Sequence, residues 1–271
     1  MFKDITLGQY YPADSVLHKL DPRVKLFGTL IYIICLFSFK GPIGIAIILG
    51  FLAAVIILSK VPFKFMVKGL RGIVFLVIFA GLINLFMTNG DIIWEWKKLH
   101  ITRQGLDNCI LMTSRMVLLI VGSSVMTLTT TPNSLTDGLE KSMKPLNKIK
   151  IPVHDISMMM SIALRFIPIL TEETEKIQKA QMARGAEFDG KNIIKKVKAM
   201  IPLLVPLFVS AFRRANDLAL AMEARCYNGG EGRTKMHPLR YVKSDVVAYV
   251  ILWMFLALVI AARILWVKVL A

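Results

Sequence analysis

Residues 156–185 read ISMMMSIALRFIPILTEETEKIQKAQMARG, an apolar run that turns abruptly into a charged one. Its first half, residues 156–170, holds 15 residues with one arginine and one proline. That falls short of the roughly 20 apolar residues that a helix needs to cross the hydrocarbon core. Its second half carries Glu172, Glu173, Glu175, Lys176, Lys179 and Arg184. A second stretch repeats the design: AMIPLLVPLFVSAF, residues 199–212, has 14 residues and two prolines and runs into RRANDLALAMEAR. Two long helices are expected, each apolar at one end and polar at the other, as arms anchored at a membrane and reaching a partner outside it. The alternative is a pair of re-entrant or surface-lying helices that stabilise a bundle.

The rest of the chain supplies the membrane. Of its 271 residues 55% are hydrophobic and only 19% charged, and the mean hydropathy is +0.60. A soluble domain of this length buries a full core with much less apolar sequence, so the surplus faces lipid. Disorder, collagen and small disulfide scaffolds are excluded. The net charge of +16 suits anionic headgroups or acidic partners. Nucleic acid would explain the charge but not the apolar surplus. Cys35, Cys109 and Cys226, and His18, His100, His154 and His237, are dispersed with no metal-ligand spacing. The mixed, acidic opening MFKDITLGQYYPADSVLHKLDPRVK does not read as a cleavable signal peptide.

Hydrophobic stretches lie at about 26–39, 41–59, 69–88, 109–131 and 246–262, which predicts about five transmembrane helices. Lys and Arg then set the orientation. Residues 1–25, 60–71 and 132–244 together carry 27 of them, against 5 on the other side (Lys40, Lys97, Lys98, Arg103 and Lys268). The N-terminus and the 132–244 segment are therefore expected to be cytoplasmic in a multi-pass cell-membrane protein. The fold class expected is all-α: a transmembrane region over 1–131, a cytoplasmic or interfacial domain of long amphipathic helices over 132–244, and a last transmembrane helix over 245–271.

The two arms end alike. The first closes on Ala183-Arg184-Gly185 and the second on Ala224-Arg225-Cys226, 41 residues later, with Ala180 matching Ala221 at the same offset. Arginine and glycine at one helix end is also ordinary capping chemistry, because glycine adopts the left-handed conformation and arginine complements the dipole. Two copies, each on a polar tip, favour docking instead. A guanidinium is a planar fork of donors suited to carboxylates and carbonyls in a groove. Two such tips suggest a partner with two similar grooves, a dimer or pseudo-dimer.

No catalytic constellation accompanies them. GGEGRTK, residues 229–235, has the composition of a phosphate loop but the wrong spacing and reads as a flexible turn; neither H-E-x-x-H nor G-x-S-x-G occurs. Glu172, Glu173 and Glu175 read as a solvated face. The spans lack the buried carboxylates that ion-coupled transporters use; their conspicuous polar residues are Asn84 and Arg115, of which Arg115, about two turns into its span, suits a structural hydrogen bond or snorkelling. No cofactor is expected. A transporter-like protein of this kind needs energy from another subunit. The rival reading is a membrane enzyme acting on lipid at the cytoplasmic interface.

These pieces resemble the transmembrane T component of energy-coupling factor transporters. The resemblance rests on Leu20-Asp21-Pro22-Arg23-Val24-Lys25, on Thr129-Thr130-Thr131-Pro132, on Leu164-Arg165-Phe166-Ile167-Pro168-Ile169-Leu170 continuing to Ala183-Arg184-Gly185, and on the second Ala-Arg motif. It implies that Arg184 and Arg225, with their neighbours Ala183, Gly185, Ala224 and Cys226, dock into grooves on two ATP-binding-cassette ATPase subunits. Cys226 stands where the family usually has glycine, and its Cβ would strain a left-handed backbone. The run Met158-Met159-Met160 suits either core gap-filling or a surface that accepts several partners. The resemblance implies that this region receives a small, interchangeable substrate-binding membrane subunit.

Overall fold

The computed structural model describes residues 10–39, 42–96, 99–186, 188, 193–230, 236 and 238–270. The N-terminus, Lys40, Lys97, Lys98 and most of the GGEGRTK segment lie outside the described residues. The elements are α1 (Val16–Lys19), α2 (Pro22–Ser38), α3 (Pro42–Ser59), α4 (Phe63–Arg71), α5 (Val74–Met87), β1 (Ile92–Trp96), β2 (Leu99–Thr102), α6 (Arg103–Thr129), α7 (Pro132–Met143), a 3-10 turn (Lys144–Ile149), α8 (Val153–Ala183), α9 (Ile193–Ala224) and α10 (Lys243–Leu270). The protein is an all-α polytopic membrane protein, with one short antiparallel hairpin, β1–β2, between α5 and α6. The chain divides into two compact units, one of residues 8–141 with 239–271 and one built around residues 142–238.

In the first unit α2, α3, α6 and α10 share a core. Ile31, Tyr32, Cys35 and Leu36 of α2 meet Ile48 and Leu52 of α3, Leu118, Val121 and Val125 of α6, and Leu252, Phe255 and Val259 of α10. Gly122 is required there, because a Cβ at that position would run into the Tyr32 ring. The Tyr32 hydroxyl donates to the Leu118 carbonyl at 2.9 Å, so the buried phenol is satisfied. The outward faces are apolar as well: Phe75 is 80% exposed and Ile57 75%. Such surface is at home in lipid.

The LDPR segment starts α2 for local reasons. Asp21 is the N-cap, its carboxylate accepting the Arg23 N–H at 2.9 Å, and Pro22 occupies the first turn. Asp21 also pairs with the Arg23 guanidinium at 2.8 Å, which stacks on the Tyr241 ring at 3.8 Å. Arg115 donates to the Phe39 carbonyl at 2.7 Å, the structural role expected of it, and Asn84 to the Ala80 carbonyl at 2.9 Å.

Span lengths differ from the sequence reading. Among the described residues three helices, Arg103–Thr129, Val153–Ala183 and Lys243–Trp266, are long and apolar enough to cross a membrane, with Ile43–Ser59 and Val74–Met87 as shorter apolar helices. The stretch expected at 69–88 is broken: a turn at Gly72 and Ile73 separates α4 from α5. Lys64, Lys68 and Arg71 recur at helical spacing in α4, which makes it an amphipathic helix suited to the interface. Helix α8, read as too short to span, joins the long set because the helix continues unbroken through its polar half.

Candidate functional site

Within the second unit α8 and α9 form an antiparallel pair. Arg214 of α9 donates to Glu173 of α8 at 2.8 Å, and the Ser210 hydroxyl donates to the other Glu173 oxygen. Closer to the end of α8, Gln181 Nε2 donates to the Pro202 carbonyl at 3.3 Å. That carbonyl is free because Pro206 has no N–H to return to it. Glu173 is thus no solvated acid. It is the clasp between the helices, and the expectation of a solvated face is corrected there.

The clasp is also the centre of the internal repeat. Glu173 and Arg214 are 41 residues apart, the offset that relates Arg184 to Arg225. Each arginine tip therefore lies 11 residues beyond the clasp along its own helix, about 16 Å at the α-helical rise. Because the helices run in opposite directions, the tips point opposite ways, roughly 30 Å apart. The picture of two arms with apolar bases and matching polar tips is altered in this respect. The register brings the Arg225 end of α9 to the level of Met158–Met160, and beyond it Gly230 backs onto the His154 ring.

Both tips close with the same backbone motif. At the first, the Gly185 N–H donates to Met182 at 3.0 Å and the Ala186 N–H to Gln181 at 3.0 Å. At the second, the Cys226 N–H donates to Glu223 at 2.8 Å and the Tyr227 N–H to Met222 at 3.0 Å. These paired bonds, with a left-handed residue between them, are the Schellman ending. Gly185 has φ +90° and Cys226 has φ +55°. The cysteine therefore takes the glycine conformation and carries the strain anticipated for its Cβ. Arg184 and Arg225 precede these residues and are exposed; their backbone N–H groups donate within the helix end, to Gln181 and Met222 at 3.1 Å each, while among the described residues neither guanidinium has a hydrogen-bond or ion-pair partner. Two unspent guanidiniums are thus held at equivalent positions on rigid helix ends.

Strain at Cys226 has a measurable consequence. Cys226→Gly is expected to be neutral or to stabilise by up to about 1 kcal/mol, relief of the left-handed backbone being partly offset by the chain entropy of glycine. Cys226→Val should lower the melting temperature in detergent, since a β-branched residue is an outlier there. A lower melting temperature for the glycine variant would contradict the strain.

The methionine run is split by its surroundings. Met158 is half-buried, whereas Met159 and Met160 are 58% and 41% exposed. Core filling does not account for the last two. They share the unit with a wider apolar stripe on α9, Ile201, Leu204, Val205, Phe208 and Phe212, all exposed.

The family comparison agrees with this architecture. Residues 13–236 match the cobalt transport protein family, CbiQ. The energy-coupling factor transporter transmembrane protein EcfT of Ruminiclostridium cellulolyticum is 51% identical, over 96% of this chain and 97% of its own. Those of Clostridium kluyveri (50%, over 99% and 100%) and Bacillus subtilis (45%, over 97% and 100%) are similar along the whole length. The chain therefore belongs to the cobalt transport protein family and is a transmembrane component of the energy-coupling factor transporter class.

Proposed function

We propose that this chain is the coupling subunit of its transporter. It transmits the motion of two ATP-binding-cassette ATPase subunits to a small substrate-binding membrane subunit that takes up a vitamin or another micronutrient. It hydrolyses no ATP itself. The observation that carries the reading is the pair of matched Ala-Arg tips, placed symmetrically about the Glu173–Arg214 clasp. Two equivalent tips facing opposite ways suit two similar subunits related by a two-fold axis. When the ATPases close, the tips move relative to each other, the clasp keeps the helices as one lever, and the apolar faces carry the motion to the partner. The test is purification of the tagged chain from its own membranes in mild detergent: two ATPase subunits and one small membrane protein should accompany it. A chain that purifies alone and turns over lipid would overturn the reading in favour of an enzyme.

The charge distribution supports a cytoplasmic N-terminus and a cytoplasmic 132–244 segment. Ile93 in the β-hairpin and Ile149 in the 3-10 turn are both well exposed. In a background free of native cysteines, Ile93→Cys should react with an impermeant thiol reagent applied to intact cells, and Ile149→Cys should not. The reverse pattern would invert the topology.

Exposed methionines support a contact with the substrate-binding subunit. Replacing Met158, Met159 and Met160 together with serine should reduce recovery of that subunit severalfold and leave the ATPases bound. Loss of the ATPases with retention of the substrate subunit would assign this end of α8 to the Arg225 docking site instead.

A further inference from the structure

An apolar cavity of about 570 Å³ opens in the first unit, between α1, α2, α3, α6 and α10. Its volume lies within the range of about 300–1,000 Å³ typical of ligand sites. Small residues create it: Gly28, Ala54, Gly122 and Ala248 line it where larger side chains would close it. Along α2 it runs from Val24 to Tyr32, about 12 Å at the helical rise, close to the roughly 15 Å depth of one hydrocarbon leaflet.

Three hydroxyls in the wall are turned away from a polar guest. Thr29 donates to the Lys25 carbonyl at 2.8 Å, Tyr32 to Leu118 at 2.9 Å and Thr129 to Val125 at 2.8 Å. Each of these three protons is spent on backbone, so none of them calls for water or a polar solute inside. Lys25 is the charged residue of the lining. Its ammonium donates to the Thr129 carbonyl at 2.8 Å and the His18 carbonyl at 3.3 Å. An ammonium has three donors, so one proton is left. Among the described residues no carboxylate lies within ion-pair distance of it. The site is therefore a leaflet-deep apolar slot with one cation at its end, on which the Asp21 and Asp245 carboxylates act from beyond ion-pair distance.

We infer that this slot holds one acyl chain of an anionic phospholipid, with the headgroup phosphate at Lys25. The chain fills volume that no side chain occupies, and the phosphate accepts the Lys25 proton that the two backbone carbonyls leave over. The inference is independent of the docking role of the arginine tips. Its test is native mass spectrometry of the full chain released from detergent, with phosphatidylglycerol or phosphatidylcholine added at matched concentration. The wild-type protein should carry one lipid and prefer the anionic one about fivefold, the factor equivalent to about 1 kcal/mol per basic side chain. Lys25→Met should keep binding and lose the preference, whereas Lys25→Arg should retain it. Ala54→Trp and Ala248→Phe fill the slot from opposite walls, and whichever folds should lose the bound lipid. Absence of lipid from the wild-type protein, equal binding of the two lipids, or lipid retained in the filled variants would each overturn the inference.

Discussion

Replacing Arg184 and Arg225 together with alanine is expected to abolish both recovery of ATPase subunits and substrate uptake, at normal membrane expression. If the arginines only complemented helix dipoles, Lys replacements would keep the charge and the loss would be small, since such contacts contribute about 0.3–1 kcal/mol. Docked as forked donors they behave differently. Lysine cannot reproduce the fork, and truncation leaves partner acceptors unpaired at about 1–3 kcal/mol each. Single Arg184→Ala or Arg225→Ala variants keep one tip bound and should still assemble. Their uptake should nevertheless fall steeply, because a lever fixed at one end transmits no relative motion. Wild-type uptake by the double variant would return both residues to simple capping.

The second large effect is expected at Asp245, which is 1% exposed and holds two chain segments together. One carboxylate oxygen accepts the Asp21 N–H at 2.9 Å and the other the Val242 N–H at 2.8 Å. Asp245→Ala would strand the buried Asp21 N–H, at about 1–3 kcal/mol, leave the part-buried Val242 N–H without its acceptor, and loosen the Asp21–Arg23–Tyr241 arrangement beside them. Little folded protein should survive size-exclusion in detergent. Asp245→Asn keeps one carbonyl oxygen, so it should restore part of the yield and melt between the alanine variant and wild type. An alanine variant as stable as wild type would show that these two bonds contribute nothing net.

Much of this was legible in the sequence because the signals were local. Asp21-Pro22 announces a helix start, and Ala-Arg-Gly announces a helix end. The apolar surplus needs only counting. Cys226 was legible as a strained position, since left-handed backbone penalises any Cβ. What escaped depends on tertiary pairing. The break at Gly72 and Ile73 did have a local signal, Arg71-Gly72, a charge followed by a helix-weakening glycine, but the apolar run on either side of it hid the turn in the overall hydropathy. The β1–β2 hairpin joins two runs, IIWEW and LHIT, too short and too apolar to stand out between two hydrophobic helices. Glu173 looked like one acid among three, because its partners Ser210 and Arg214 lie on another helix. A signal did exist: the offset of 41 residues that relates the arginine tips also places Arg214 against Glu173. Opposite charges at repeat-related positions are what a two-fold helix crossing would select.

The central claim, that each tip engages a different ATPase subunit, is open to direct measurement. Cys226 provides a native thiol at the second tip, and Ala183→Cys provides one at the first; both positions are exposed. With Cys35 and Cys109 replaced, a thiol-attached photo-crosslinker at either tip alone should join the chain to one ATPase subunit. With probes at both tips, the predicted product contains one copy of this chain and two ATPase subunits. Crosslinking of both tips to the same ATPase subunit, or of neither to any, would contradict the account.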